Sequence, residues 1–368
     1  LAVAFLPLAV VLVLCLLLPP LGALVAAQPI EQFLHLPLEA RGWDALPASR
    51  GATGVSLALG AALVGWTLWR SRSRGPVRQE AIPGAAWPRW SWSGPVLLVA
   101  ALAIGAIWSP HLSGPLALLG LTLALNAHLQ RRSGGSLVHR NPRYFLALYP
   151  VGAALGWTIH WLNLYLQLWH YPSPPGAVSF TLLATFDYAV LLPALLSLRQ
   201  WLATLPGLGG WGQRATPLGT GDVRWAAWPL IGLGGLGLAG AGVWPDHIYP
   251  LTWVSPLLLA LGLQALSGKP GLLAGLASGD WGRLLHTSLA ALLLGLAAQA
   301  WNRWAGPFWV FDLSLIGGPA PLGLPVVGWL GVIPLALTGL WMADQVARPW
   351  HGRNKPRFPE FPVKIVLK

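Results

Sequence analysis

Charge is what this chain has least of. Only 9% of its 368 residues are Asp, Glu, Lys or Arg, against 55% hydrophobic. A soluble chain of that length needs far more charge to cover its surface, so a soluble globular protein is excluded. Acids are scarcer than bases, 11 against 23. There is a single cysteine, Cys15. That rules out a disulfide within the chain and any cysteine metal cluster, and in its apolar run Cys15 reads as a small buried hydrophobe. No Walker-type loop, dinucleotide fingerprint, His-Glu-x-x-His or Gly-x-Ser-x-Gly is present. No helix carries the periodic arginines of a voltage sensor, and no acidic relay of the kind a proton pump needs is visible.

What is present is a series of continuous apolar stretches of roughly 17–25 residues, the length that crosses ~30 Å of hydrocarbon. Because the runs do not alternate, a transmembrane barrel is excluded. The fold class is all-α, a polytopic transmembrane bundle. Ten helices are expected, near residues 1–25, 52–69, 94–109, 112–130, 144–168, 178–198, 226–243, 250–267, 284–302 and 324–343. The apolar run Leu1 to Leu18 is read as a retained first helix rather than a cleaved signal.

The basic residues sort by side. Alternate connections and the tail hold 20 of the 23, from Arg70 through Arg131, Arg199 and Arg283 to Lys368; the other side keeps Arg41, Arg50 and Arg303. This is the positive-inside pattern, and it puts both termini in the cytoplasm. No aromatic-interleaved basic segment calls for nucleic acid. The first connection, Gln28 to Arg50, is extracytoplasmic and amphipathic, and is expected along the interface.

A four-helix pattern occurs twice. Pro115, Arg143, Asn163, Trp169 and Pro193 recur as Pro256, Arg283, Asn302, Trp309 and Pro334, 139 to 141 residues later. The expected organisation is an N-terminal helix pair (1–91), a first unit (92–202), a cytoplasmic linker (203–224), a second unit (225–346) and a basic tail (347–368). Four helices per unit make the copies parallel, related by an axis along the membrane normal.

Ionisable groups inside the helices are the functional suspects. His160 and Asn163 share a helix face, and Asp187 on the next helix makes His160–Asp187 a candidate acid–base pair with Asn163 beside it. Against this, such groups also serve as interhelical packing glue, and the second copy offers Gln299 with no matching acid. His111 and His247 stand at equivalent helix corners and His170 lies in Trp-His-Tyr; these three are the candidate cofactor ligands. Too few carboxylates or histidines converge for a metal, so none is expected. His128, next to Arg131 and Arg132, is expected to snorkel to the cytoplasmic surface. The glycines of Gly232 to Gly242 are expected to allow close helix packing.

The run Arg143-Tyr-Phe-Leu-Ala-Leu-Tyr-Pro150, Gly156-Trp-Thr-Ile-His-Trp-Leu-Asn163 and Trp169-His-Tyr171 resembles a family of bacterial polytopic membrane proteins of unassigned activity. The resemblance covers about Leu36 to Ala347 and implies fold and membrane location. The chain departs from that family at an acidic position, which is His160 here and Gln299 in the second copy. Asn163, Trp169 and Pro193 are also faintly similar to lycopene-cyclase domains, a likeness of fold alone.

The scarcity of acids points to a non-catalytic integral subunit of a larger membrane complex, bioenergetic or photosynthetic, that contacts lipid, quinone or pigment. Its expected partners are membrane lipids and other membrane subunits, with the tail 347–368 docked on one of them. The alternatives are a membrane enzyme acting on an isoprenoid or other lipid through His160 and Asp187, and a transporter.

Overall fold

The computed structural model describes residues 2–73, 86–107, 110–219, 223–268, 271–306 and 308–347. The loop arginines Arg74 and Arg78, the corner residue Trp108, Lys269 and the tail from Arg348 onward lie outside the described residues. The fold is an all-α bundle. Its long helices are α1 (Ala2–Val25), α2 (Arg50–Arg70), α3 (Ser93–Ile107), α4 (Pro110–Ser133), α6 (Pro142–Leu166), α7 (Ala177–Leu202), α8 (Ala227–Ala241), α9 (Pro245–Ser267), α11 (Gly282–Trp304) and α12 (Val332–Ala347). Two one-turn helices that the sequence reading missed, α5 (Leu137–Arg140) and α10 (Ala274–Ala277), precede α6 and α11.

Eight helices among the described residues are long and apolar enough to cross a membrane. The chain is thus a multi-pass membrane protein. The other two long helices, α3 and α8, have 15 residues each, about 22 Å at 1.5 Å per residue and short of a ~30 Å core. Helix ends depart from expectation for local reasons. Asn141 caps α6, its side chain accepting from the Tyr144 N–H, and Pro142 occupies the first turn, so the helix begins two residues early. It ends at Leu166 because Gln167 turns left-handed, φ 49°. The last helix, expected from 324, starts at Val332 behind a 3-10 stretch, Val326–Gly331.

Helix packing follows small residues, since in lipid there is no hydrophobic drive between helices and close backbone approach replaces it. α3 lies on α4, α8 on α9, α6 on α7, and α1 against α8. Gly237 faces Ser255 and Leu251, and Gly22 of α1 lies directly on the Ala239 backbone, so α8 packs closely through its glycines as its sequence suggests. Leu148, Leu192, Leu340, Trp341 and Ala343 bring α6, α7 and α12 together at the centre of the core. Asn126 on α4 donates to Ser197 Oγ on α7 (2.8 Å) and acts as glue of the kind expected. His128 is half-buried, and its Nδ1 accepts from Trp201 Nε1 at 2.6 Å.

α2 stands apart. None of its residues is buried. It is tied at its ends, where Ser49 N–H donates to Leu315 O (2.9 Å), Gly317 N–H to Thr53 Oγ1 (3.0 Å) and Arg70 to Pro217 O (3.2 Å). Midway, Gly60 lies against Leu330, an approach a side chain would block.

Candidate functional site

Two asparagines begin the site. Asn163, buried at the end of α6, accepts from the N–H groups of Leu168 (2.9 Å) and Trp169 (3.3 Å) and donates to Trp169 O (2.8 Å). Asn302, at the end of α11, accepts from Phe308 (2.8 Å) and Trp309 (3.3 Å) and donates to Trp309 O (2.9 Å). Each clamp folds its chain into a short strand, β1 (Trp169–His170) and β2 (Val310–Phe311), and the two strands pair antiparallel with Trp169 opposite Phe311. A strap, residues 28–49, closes over them: Tyr171 N–H donates to Leu38 O (2.8 Å) and Gly42 N–H to Gln167 Oε1 (2.6 Å). Arg41 in the strap forms a salt bridge with Asp246 and also reaches Asp312 O (2.9 Å) and Ser314 Oγ (2.9 Å), while Trp43 Nε1 donates to Asp246 (3.1 Å). The result is a roof joining both halves of the chain at one end of the bundle.

Beneath this roof lies a cavity of about 970 Å³. Its walls are α4, α7, α9, α11 and α12, with Ser56, Leu59, Gly60 and Leu63 of the loosely held α2 as a further side. Trp169, Trp253, Trp301, Trp309, Phe308 and Phe311 form its aromatic part, and most of the remaining lining is Leu, Val, Ile, Ala, Gly and Pro. Among the described residues no Lys or Arg lines it. A volume at the upper end of the roughly 300–1,000 Å³ of small-molecule sites, with few polar groups, is the form of a binding cavity for an apolar molecule.

One part of the wall is polar. Trp169 Nε1 donates to Tyr171 Oη (3.1 Å), Tyr171 Oη stands 3.5 Å from Tyr188 Oη, and Tyr188 Oη is 3.1 Å from His160 Nδ1. An indole N–H only donates, so Trp169 is the donor to Tyr171; in the Tyr171–Tyr188 and Tyr188–His160 contacts either partner can donate. Burial pushes the Tyr171 phenol up to about 12, with the charge of Asp187 adding to the effect, so the phenol is protonated at neutral pH. Asp187 lines the cavity beside Tyr188 and makes no hydrogen bond or ion pair with any described residue. In the second half the counterparts, 139 residues on for His160, 140 for Tyr171 and 141 on α7 as for Pro193 and Pro334, are Gln299, Phe311, Gly328 and Trp329. There Trp309 Nε1 donates to Gln299 Oε1 at 2.8 Å. The cavity is therefore polar on one side only.

The residues singled out in the sequence fall apart into different roles. His160 and Asp187 are not hydrogen-bonded to each other; the partner of His160 is Tyr188, and its Nε2 is buried with no partner. Asn163 has its oxygen and one of its two N–H groups engaged in its clamp, a structural role. His111 lines the cavity with its ring 4.4 Å from that of Phe308. His170 sits in β1 and His247 is exposed, so the three candidate ligands do not converge. Among the described residues no group of three His, Cys, Asp or Glu side chains is placed to hold a metal. Tyr171, Tyr188 and the Arg41–Asp246 pair were missed. The signal available for the last was a lone arginine and a lone acid in loops assigned to the same side.

Comparisons with protein families, with curated proteins and with solved structures return no match.

Proposed function

We propose that this chain is a multi-pass protein of the bacterial cytoplasmic membrane that holds a bulky apolar molecule, of lipid, isoprenoid or pigment type, between two duplicated four-helix units. The observation that carries the reading is the 970 Å³ apolar, aromatic-walled cavity that both halves build together. Duplication is supported by the equivalent asparagine clamps, by the order of short helix, long helix, single turn and clamped helix in each half, and by β1 and β2 meeting antiparallel as a twofold relation requires. With α3 and α8 counted as spans, the bundle has ten, both termini face the cytoplasm and the roof faces outward, in keeping with the distribution of arginines.

The role favoured is holding rather than transforming. The cavity wall carries one carboxylate, and His160 is engaged with a phenol rather than with that acid. Such a protein fits as a non-catalytic, ligand-bearing subunit of a membrane complex, with α2 free to meet lipid or a neighbour. A second reading, an enzyme acting on an isoprenoid, is favoured by the unengaged Asp187 in the apolar wall, where it is placed to act as an acid.

The test is purification in mild detergent, followed by organic extraction and identification of what is released, with co-migrating chains identified from the same preparation. A single apolar molecule near one per chain is expected. Protein that releases only bulk lipid, in the proportions of the surrounding membrane, contradicts the reading.

A further inference from the structure

We infer that the cavity selects a neutral amphiphile with a hydroxyl head, a long-chain alcohol whose oxygen lies on the wall formed by Asp187, Tyr188 and Tyr171. This rests on the proposal that the cavity is a ligand site, and it names the ligand's chemistry.

The argument runs from the polar groups the fold leaves free. Most polar groups in the wall are spent: Tyr249 Oη donates to Ser314 O, Asn302 holds its clamp, Trp301 Nε1 donates to Ser113 and Trp309 Nε1 to Gln299. Apart from Ser56 on α2, the indole N–H of Trp253, the second amide N–H of Asn302 and the Nδ1 of His111, which is buried and unpartnered, what remains is the group around Asp187, which holds the acceptor with a negative charge. The Asp187 carboxylate has no partner among the described residues and is an acceptor when ionised. Tyr171 and Tyr188 are separated by 3.5 Å, a long contact in which either phenol can donate and neither O–H is held tightly. Asp187, Tyr188 and Tyr171 all line the cavity, and the charge of Asp187 is felt at Tyr171, so this wall offers an acceptor and a movable donor to one ligand.

A hydroxyl is the head group that uses both, donating to Asp187 and accepting from Tyr171 or Tyr188. A ketone can only accept, an ammonium can only donate, and a hydrocarbon leaves both unmet. A phosphate or diphosphate would meet the Asp187 charge with no Lys or Arg among the described residues of the wall to offset it. The body of the ligand follows from size. At roughly 30 Å³ per heavy atom, the share of a water in the liquid, the cavity holds about thirty non-hydrogen atoms, enough for a diterpenoid alcohol.

The test is quenching of tryptophan fluorescence in the purified, delipidated full chain, titrated with geranylgeraniol, the hydrocarbon of the same skeleton, geranylgeranyl phosphate and geranylgeranylamine. The alcohol is expected to bind at least tenfold tighter than the other three. Asp187→Leu is expected to bring the alcohol to the hydrocarbon's affinity while leaving the hydrocarbon unchanged, and Asp187→Asn, still able to accept, to keep most of the preference. Retention of the hydrocarbon's affinity in Asp187→Leu is also the check that the variant is folded. Equal binding of alcohol and hydrocarbon by the unaltered chain, tighter binding of the phosphate or the amine, or an unchanged preference in Asp187→Leu overturns the inference and leaves the ligand site standing. Failure of all four probes to bind overturns both.

Discussion

Asn163 and Asn302, 139 residues apart, make the same three hydrogen bonds to the strand that follows each of them. Each lies in the last turn of a long helix, and each satisfies two N–H groups and one carbonyl of the segment that follows. Together they shape the strands whose pairing roofs the cavity.

The clamps give the first prediction. Asn163→Ala removes three hydrogen bonds and strands three buried backbone groups, at about 1–3 kcal/mol each. A loss of about 3 kcal/mol or more is expected in reversible unfolding in detergent. Asn163→Asp keeps the acceptor for Leu168 and Trp169 and loses only the donor to Trp169 O, so it should cost less. The same order is expected at Asn302. An alanine variant as stable as the parent at either site contradicts the role.

The strap rests on Arg41 and Asp246, whose side chains are only 5% and 15% exposed. Breaking a buried pair costs about 3–5 kcal/mol because the surviving charge is left uncompensated. Asp246→Asn should therefore loosen residues 28–49 and speed their cleavage by an added protease. The paired replacement Arg41→Met with Asp246→Leu should restore protection, since two apolar groups leave no charge stranded. Cleavage of the double variant as fast as the single one would count against this account.

Sidedness can be read with cysteines in a Cys15→Ala background. Glu39→Cys in the strap should react with an impermeant maleimide in intact cells, and Arg72→Cys, beyond α2, only after the membrane is opened. Labelling of both in intact cells contradicts the assigned topology.

The helices were legible because each is a long apolar run, and the two halves because matched Pro, Arg, Asn and Trp keep their spacing. The cavity was not legible. A leucine facing an internal space looks in the sequence like a leucine facing lipid. Nor was the partner of His160. Residues on a helix are turned by about 100° from one to the next, so Asp187 and Tyr188 cannot both stand squarely against α6, although both reach the cavity. Nothing in the run Thr185-Phe-Asp-Tyr-Ala189 says which of the two faces α6. The contact of Tyr188 with the bare Gly156 backbone settles that orientation, and it is a matter of packing rather than of pattern. Arg41 and Asp246 are 205 residues apart, and only the closure of the roof brings them together.

The central claim is that the cavity holds a ligand, and Gly114 gives a direct way to ask. Gly114 lines the cavity on α4, and a side chain built there meets only Trp301, at 3.9 Å. Gly114→Leu should fill ligand space without disturbing the bundle, and leucine is the better helix former by several tenths of a kcal/mol. Native mass spectrometry of the two proteins from the same membranes is the decisive measurement. The unaltered chain should carry one apolar adduct of defined mass, and Gly114→Leu, equally stable, should lack it. An adduct of the same mass and occupancy on both proteins, or none on either, contradicts a ligand-holding cavity.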